Sequence, residues 1–327
     1  MNWLGYFLAF SAAAVFCGWF VWRRHAAWLD QPGERSLHTV PVPRLGGVGI
    51  CAGLLVGAVC LWPQWQTLFD PYLLAGAVAL WAVAVLDDFR PLGQVPRLCC
   101  QLFAALLAVW GGQMFFSLPV LSWLWPVMGV LMILWGINLY NFMDGMDGFA
   151  GAMAVLGFGV LAVLAFMHAD VALGSVCALI VAANLGFLVF NFPPARIFMG
   201  DSGSTVLGFA MVTLSILGWK REIYSAWVSF VVFSPFWVDA SVTLCKRAWR
   251  REKIWQAHRE HYYQRWVLAG FSHLRVLLWE CALMCGCAAS VMAWQAWGAG
   301  YNGFAVPGLW VLCYAAALLY SEWRLGQ

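Results

Sequence analysis

Residues 149–190 read FAGAMAVLGFGVLAVLAFMHADVALGSVCALIVAANLGFLVF, two long apolar runs separated by a short turn at Asp170. Each run has about the 20 residues that a helix needs to cross the hydrocarbon core of a bilayer. A helix is the expected structure, because backbone N–H and C=O groups in lipid must be hydrogen-bonded within their own segment. The stretch therefore predicts two consecutive membrane-spanning helices.

The chain has the same character on both sides of this pair. Its 327 residues are 63% hydrophobic and 10% charged, whereas soluble domains carry about 25% charged residues. We predict an all-α polytopic membrane protein, one domain over residues 1–327, with about eleven transmembrane helices, or ten because the boundaries at 117–119 and 168–171 are tight. The other apolar stretches are 2–22, 46–62, 71–86, 98–117, 119–137, 203–219, 224–245, 274–297 and 304–320.

The distribution of Lys and Arg orients this bundle. If the loop after the first span is cytoplasmic, all of the 18 Lys and Arg residues except Lys220 and Arg221 lie on that side. Cytoplasmic loops carry an excess of positive charge, so we expect a periplasmic N-terminus and a cytoplasmic C-terminus. The cytoplasmic loops are then about 23–45, 87–97, 138–148, 191–203 and 246–273.

Most of the carboxylates are also predicted to lie at the cytoplasmic face, which the positive-inside rule does not require. The first pair, Asp87 and Asp88, lies at a membrane boundary, where adjacent carboxylates repel each other and are costly to desolvate. They need a cation, and both Arg90 and Mg²⁺ are candidates. The alternative interpretation is a helix cap.

A second polar run, Asn138-Leu-Tyr-Asn141-Phe-Met-Asp144-Gly-Met-Asp147-Gly148, directly follows an apolar stretch. Steps of three residues fall about 60° short of a full helical turn, so a straight helix would point Asn138 and Asp147 to opposite sides. The glycines predict that the helix ends or distorts here, which would bring the carboxylates together.

A third polar segment runs from Asn191 through Phe198 to Asp201-Ser-Gly-Ser204. A Gly/Ser-rich turn that opens a helix exposes N–H groups to an anion. Asp201 at this place favours a cation bridged to that anion, as in Mg²⁺–phosphate sites. The alternative is that Asp201 or Ser202 only caps the helix. Arg44, in the first loop, is a candidate for holding a phosphate. The alternative is that Arg44 lies at a helix start and its side chain snorkels towards water.

The last cytoplasmic loop is basic and contains His258-Arg259-Glu-His261. If this segment is helical, His258, His261 and Arg265 share one face. A basic helix that binds anionic lipid headgroups is the alternative, although it explains the histidines poorly. The eleven cysteines lie mostly inside predicted spans and have no metal-ligand spacing.

Four of these motifs occur in a recognisable order between about Pro41 and Arg265. Asp-Asp-x-Arg, Asn-x-x-Asn-x-x-Asp-Gly-x-Asp-Gly, Phe-Met-Gly-Asp-Ser-Gly-Ser and His-Arg-x-His-x-Tyr-Gln resemble the polyprenyl-phosphate N-acetylhexosaminyl-1-phosphate transferases, glycosyltransferase family 4. The final motif resembles the O-antigen-initiating branch more than the pentapeptide transferase, which has a run of histidines there. Asp239 resembles part of a further family pattern and is a weaker candidate.

The resemblance implies a Mg²⁺-dependent enzyme, with Mn²⁺ as an alternative ion, in the bacterial inner membrane. Such an enzyme transfers an N-acetylhexosamine-1-phosphate from a UDP-amino sugar to undecaprenyl phosphate and releases UMP, as the first membrane step of a lipopolysaccharide or other cell-surface polysaccharide. The family also implies a homodimer. The sequence leaves open which UDP-sugar and which pathway are used.

The resemblance also implies residue roles. Asp87 would act as a base or hold the lipid phosphate, and Asp201, Asp88 and Asp144 would bind the metal. Phe198 would stack on uracil, and Arg44 would hold the acceptor phosphate. The remaining candidates would line the nucleotide-sugar site: Asn138, Asn141, Asp147, Asn191, His258, Arg259 and His261.

Two alternatives remain beside the hypothesis of a sugar-1-phosphate transferase. One is a phospho-N-acetylmuramoyl-pentapeptide transferase, and the other is a secondary transporter or lipid flippase. Transporters place charges near the bilayer midplane and often repeat their halves. In this chain the carboxylates lie mostly at one face and no repeat is evident, which favours an enzyme.

Overall fold

A computed structural model describes residues 3–33, 36–62, 71–111, 124–253, 256, 258–297 and 303–326. The described residues form a bundle of thirteen α-helices. These are α1 (Trp3–Arg23), α2 (Gly46–Cys60), α3 (Pro71–Phe89), α4 (Gln94–Trp110), α5 (Leu124–Phe142), α6 (Phe149–Met167), α7 (Val171–Asn191), α8 (Asp201–Lys220), α9 (Ala226–Val232), α10 (Ser234–Trp249), α11 (Tyr262–Leu268), α12 (His273–Ala296) and α13 (Ala305–Leu325).

Eight of these helices are long and apolar enough to cross a membrane, namely α1, α3, α5, α6, α7, α8, α12 and α13. The pair α9 and α10 adds a ninth if it forms one broken span, and α2 and α4 are shorter apolar helices of 15 and 17 residues. The predicted class, a helical polytopic membrane protein, is confirmed. The count of eleven and the orientation stay predictions, and the boundary at 117–119 lies outside the described residues.

The predicted continuous span over 224–245 is wrong, because the chain bends by 77° between α9 and α10. Pro235 is in the first turn of α10, where its missing N–H and fixed φ are tolerated. The same residue could not continue α9 without removing a backbone hydrogen bond. The break gives α10 a different direction from α9.

The loop between α1 and α2 contains a short antiparallel pair, β1 (Leu29–Asp30) and β2 (Val42–Pro43), so the chain is not purely α-helical. The Arg44 N–H extends this pairing by donating to the Trp28 carbonyl at 2.9 Å. These bonds fold the loop back over the end of the bundle. They hold Arg44 directly before α2.

Three helices form the centre of the bundle. The apolar windows of α6, α7 and α8 are 67%, 67% and 78% buried, whereas that of α13 is 17% buried. α8 packs against α2, α3 and α5. A Cβ at Gly47 in α2 would lie 2.0 Å from the backbone nitrogen of Gly203, so glycine permits the close approach of α2 to the start of α8.

Candidate active site

A polar cavity of about 410 Å³ opens where α3, α5 and α7 end and α8 begins. Its walls come from segments that are far apart in the sequence: the loop before α2, the α3–α4, α5–α6 and α7–α8 loops with their adjoining helix ends, and the region of α11 and α12. The cavity brings together the following predicted residues: Arg44, Asp87, Asp88, Asn141, Asp144, Asp147, Asn191, Phe198 and Asp201.

One guanidinium group joins two of the carboxylates. Nη1 of Arg97 in α4 lies 3.0 Å from Asp87 Oδ2 and 2.8 Å from Asp201 Oδ2. Asp87 also accepts the backbone N–H of Leu92, which fixes the α3–α4 loop. Among the described residues, Arg97 rather than the expected Arg90 is therefore the cation that compensates this part of the site.

Asp88 holds the start of α8. Its carboxylate accepts the backbone N–H groups of Asp201 at 2.9 Å and Ser202 at 3.0 Å. The residue before the helix, Gly200, has φ +73°, and a Cβ there would lie 2.3 Å from the Arg44 carbonyl oxygen. Asp201 and Ser202 were the predicted alternatives for capping this helix. The carboxylate of Asp88, from α3, supplies the cap instead.

Asp144 differs from its neighbours because its carboxylate makes no hydrogen bond or ion pair within the described part of the chain. α5 ends at Phe142 and α6 begins at Phe149, and Gly148 at φ +75° makes the turn, as the glycines predicted. Burial, together with the charges of Asp201 and Asp88, raises the pKa of Asp144 well above its usual range. This carboxyl is available to a ligand of the cavity.

Asp147 and Asn191 line the cavity and also fasten its loops. Asp147 accepts the Ala195 N–H at 3.0 Å, and His273 Nδ1 lies 3.1 Å from its other oxygen. Asn191 accepts the Gly148 N–H at 2.9 Å and donates to the Ile197 carbonyl at 2.8 Å. These bonds connect the α5–α6 and α7–α8 loops.

Asn138 does not line the polar cavity. It donates to Gln101 Oε1 at 2.8 Å and faces a second cavity of about 410 Å³ beside α3, α4 and α5. This lateral cavity is walled mainly by apolar side chains such as Leu80 and Val83, yet it also touches Arg97, Asn141 and Asp201. The two cavities therefore meet at the same charged residues.

The residues of the histidine motif were expected to bind the nucleotide sugar, but they lie outside the polar cavity. His258, Arg259 and His261 do not line the polar cavity. The assumption of a shared helical face with Arg265 is wrong, because α11 begins only at Tyr262 and His261 is its N-cap. The Asp239 carboxylate accepts the N–H groups of Tyr262 at 2.9 Å and of Tyr263 at 3.1 Å, which fixes this start.

The histidines pack beside this helix start. His261 is 2% exposed, and its Nδ1 lies 3.3 Å from Asp239 Oδ1. The His258 ring lies 4.8 Å from the His261 ring. Burial, and then the nearby His261 and Arg247, lower the pKa of His258 to about 4. Asp239, the weaker candidate, is therefore the residue that organises this region.

Several cavity residues were not among the predicted site residues. They are Asp30, Ser36, Leu37, His38, Pro91, Leu92, Arg97, Gly145, Met146, Gly200, Gln264 and His273. Gln264 ends the motif His-Arg-x-His-x-Tyr-Gln, but it was not assigned a role, and Arg97 was visible only as one more basic residue of a predicted loop. His38 lies against Phe198, with ring centroids 4.9 Å apart.

The charges of the site fit a hard divalent cation. The cavity is lined by six carboxylates and two guanidinium groups, namely those of Asp30, Asp87, Asp88, Asp144, Asp147, Asp201, Arg44 and Arg97. Oxygen donors of this kind are the ligands that Mg²⁺ prefers. No three His, Cys, Asp or Glu side chains of the described residues form a ready-made metal site. Asp144 and Asp201 are the best-placed donors, since within the described residues Asp144 has no hydrogen bond or ion pair and the side chain of Asp201 is held only by Arg97 and Asp87.

The fold and the site define a multi-pass membrane protein whose charged cavity, at one end of its helices, adjoins an apolar one. The profile of glycosyl transferase family 4 matches residues 71–219. A Bacillus subtilis protein named probable undecaprenyl-phosphate N-acetylglucosaminyl 1-phosphate transferase is 31% identical over 255 residues, which are 75% of this chain and 71% of the relative. The chain belongs to glycosyl transferase family 4.

Two further relatives have related names. A Mycobacterium tuberculosis decaprenyl-phosphate N-acetylglucosaminephosphotransferase is 28% identical over 80% of this chain and 75% of its own length. The Bacillus subtilis phospho-N-acetylmuramoyl-pentapeptide-transferase is 32% identical over 74% of this chain and 81% of its own length. The relatives thus include both N-acetylglucosamine-1-phosphate transferases and a pentapeptide transferase.

Proposed function

We propose that this protein transfers an N-acetylhexosamine-1-phosphate from a UDP-amino sugar to undecaprenyl phosphate and releases UMP. The observation that carries the proposal is the meeting of the polar and lateral cavities at Arg97, Asn141 and Asp201. A water-soluble nucleotide and a lipid phosphate need such adjoining sites of opposite polarity. The names of the relatives support the same reaction.

The polar cavity is the proposed donor site. Asn141, Asp144, Asp147 and Asn191 offer hydrogen-bonding groups to the nucleotide sugar, and Phe198 offers a ring for uracil. His258, Arg259 and His261 lie outside this cavity, so we assign the histidines to holding α11 rather than to the diphosphate. We assign Arg259 no role in binding the substrates, because it does not line the polar cavity.

The lateral cavity is the proposed acceptor site. Its apolar wall suits a polyprenyl chain, and its charged edge suits the phosphate at the end of that chain. Arg97 can pair with the acceptor phosphate there. Arg44, whose Nε donates to the Asp88 carbonyl at 2.9 Å, adds positive charge on the polar side. Asn138 faces the acceptor rather than the donor site.

We propose Mg²⁺, with Mn²⁺ as a substitute, held by Asp201 and Asp144. When bound, the ion neutralises the diphosphate and the leaving UMP. The carboxylate of Asp88 accepts two N–H groups of α8, so we propose that it positions Asp201 instead of binding the metal directly. In this proposal Asp201 and Asp144 bind the metal, and the buried Asp88 holds the start of α8 in place.

The reaction joins an oxygen of the lipid phosphate to the phosphorus that carries the sugar. The bond from this phosphorus to the bridging oxygen breaks, and UMP leaves with that oxygen. A lipid phosphate has a second pKa near 6, so little proton remains to be removed at neutral pH. Asp87 fixes Arg97 at 3.0 Å, which supports a positioning role in a direct attack.

The test is UMP release by the purified protein with undecaprenyl phosphate, Mg²⁺ and a panel of UDP-amino sugars. We expect release that requires both lipid and metal, with one sugar preferred. Absence of release with every sugar, in protein shown to be folded, would contradict the proposal. Transport of a substrate without UMP release would support the transporter alternative, which family membership disfavours.

One observation favours a second donor. A relative named as a pentapeptide transferase is 32% identical over most of its length. The same panel should therefore include UDP-N-acetylmuramoyl-pentapeptide. Preference for that donor would assign the chain to the pentapeptide transferases, and preference for a simple amino sugar would assign it to the N-acetylglucosamine-1-phosphate transferases among its relatives.

We further propose that the protein lies in the bacterial inner membrane with the polar cavity towards the cytoplasm. The concentration of Lys and Arg in the loops at that end supports this orientation. Labelling by an impermeant reagent would test it, with a cysteine introduced at Lys220 or at Arg196 in a variant whose eleven native cysteines are replaced. A homodimer, as the family resemblance implied, is testable by the mass of the purified protein.

A further inference from the structure

A third cavity, of about 580 Å³, lies between α10, α11, α12 and α13. None of its lining residues lines the polar or the lateral cavity. It opens near the same end of the bundle, because Tyr262 and Arg324 are among its walls. We call it the aromatic cavity.

Four aromatic side chains form one side of this cavity. The ring of Trp266 lies 5.3 Å from Phe271, 5.6 Å from Trp279 and 6.1 Å from Tyr320, and Phe271 lies 5.1 Å from Trp279. Aromatic faces carry negative electrostatic potential and attract ammonium groups within about 6 Å. Arg275 already lies over the Phe271 ring, 5.6 Å from its centroid, so the rings offered to a ligand are those of Trp266, Trp279 and Tyr320. The cavity thus offers a surface for a cation with an apolar body.

Glu280 adds a carboxyl group to the same cavity. Within the described residues it makes no hydrogen bond and no ion pair. Asp239 also lines the cavity, but it is engaged by the backbone of α11 and by His261. An unpaired carboxylate in a membrane helix is costly, and a cationic partner from outside the chain would relieve that cost.

Arg324 supplies the opposite charge at the edge of the cavity. In the part of the chain that the structure describes, it has no ion-pair partner, whereas Lys246 and Arg265 both pair with Glu322. Positive and negative groups of the aromatic cavity are therefore both left for a ligand.

The register of α12 and α13 places Glu280 and Arg324 at neighbouring levels along the bundle axis. Cys287 Sγ lies 3.7 Å from Tyr314 Oη, and Trp310 Nε1 donates to Ser290 Oγ at 2.9 Å. These antiparallel pairs put Glu280 at the level of Ser321. Arg324 is then about 4.5 Å, or nearly one helical turn, closer to the end of the bundle.

We propose that the aromatic cavity binds the headgroup of an aminophospholipid. Its ammonium group meets Glu280 and the rings, its phosphate meets Arg324, and its acyl chains lie on exposed apolar side chains of α12 and α13 such as Leu278 and Leu319. A membrane lipid is the source, because this wall faces outward from the bundle. Anionic lipids without an amine leave Glu280 unpaired, so the site discriminates by charge pattern.

The experiment offers delipidated protein equal amounts of phosphatidylethanolamine and phosphatidylglycerol with identical acyl chains, and native mass spectrometry counts the retained lipids. We expect the wild type to retain more phosphatidylethanolamine. Glu280→Gln should lower the ratio of the two lipids about tenfold, as the loss of one charged hydrogen bond would. Glu280→Asp should keep part of the preference.

Glu222→Gln is the matched control, because it removes an exposed carboxylate between α8 and α9, away from the cavity. It should leave the ratio unchanged. Equal retention of both lipids by the wild type, or an unchanged preference in Glu280→Gln, would overturn the proposal. If the Glu280 variants do not fold, tryptophan fluorescence of the wild type titrated with short-chain phosphatidylethanolamine decides. Absence of a saturable change there would also overturn it.

Discussion

Asp88, in the last turn of α3, accepts the backbone N–H of Asp201, the first residue of α8, at 2.9 Å. The two residues are 113 positions apart in the chain. One carboxylate thus serves as the cap of a helix that begins far away, and it orients the neighbouring Asp201 side chain towards Arg97. The catalytic proposal depends on this arrangement.

Loss of the cap should destabilise the protein. Asp88→Ala leaves the N–H groups of Asp201 and Ser202 unpaired, and we expect a loss of about 1–2 kcal/mol, measured as a lower unfolding temperature, together with loss of UMP release. Asp170→Ala is the control, since Asp170 lies outside the cavity, caps α7 by accepting the Leu173 N–H at 2.9 Å and pairs with Arg221 at 2.8 Å. It should cost similar stability and retain activity. An unchanged unfolding temperature for Asp88→Ala would refute the capping role.

Asp201→Asn should separate chemistry from folding. The amide keeps the size of the side chain but loses the charge that pairs with Arg97 and that is proposed to bind Mg²⁺. We expect UMP release to fall about 100- to 1,000-fold, the scale for removing one electrostatic contributor. The unfolding temperature should stay close to that of the wild type. Activity within tenfold of wild type would argue against Asp201 as a ligand.

Arg97→Gln should have two opposite effects. The guanidinium competes with a metal ion for Asp87 and Asp201, so its removal should lower the Mg²⁺ concentration needed for half-maximal activity, by about tenfold. The maximal rate should fall, because the acceptor phosphate loses its partner. A Mg²⁺ titration of UMP release measures both. Arg90→Gln, in the α3–α4 loop that precedes Arg97 but outside the cavity, is the control and should change neither quantity.

Gly47→Ala should be poorly tolerated. The added Cβ would meet the Gly203 backbone at 2.0 Å, so α2 must move away from α8, at a cost of about 1–3 kcal/mol. Gly159→Ala is the control, because a Cβ there has nothing within 4 Å among the described atoms. Thermal unfolding of both variants should show a loss only for Gly47→Ala. Equal behaviour of the two variants would contradict the observed packing.

His258 should make stability depend on pH. Its pKa is about 4 in the folded protein, because burial and the nearby His261 and Arg247 disfavour its charge, and near 6.5 when unfolded. The unfolded chain therefore binds more protons between these values, and stability should fall as pH drops from about 6.5 towards 4. His258→Gln should flatten this part of the profile of unfolding temperature against pH, whereas His25→Gln, at an exposed position, should not.

Much of the fold was predictable because membrane helices depend on local composition. The runs that became α6 and α7 were predicted within one residue of their ends, since about 20 apolar residues in lipid have few alternatives to a helix. The bend at Pro235 was missed because proline in a first helical turn and proline in a kink have the same local sequence. The pairing of Leu29–Asp30 with Val42–Pro43 was missed because two-residue strands have no periodicity.

The sequence by itself determined that this chain is a helical membrane protein and that its carboxylates follow the ends of apolar helices, because hydrophobic length and charge are properties of the chain. The tertiary structure decided which groups meet: Arg97 between Asp87 and Asp201, Asp88 on the N–H groups of α8, and His261 on Asp239 instead of the cavity. These contacts join residues 10 to 113 positions apart. Only helix packing, which no local pattern specifies, brings such residues together.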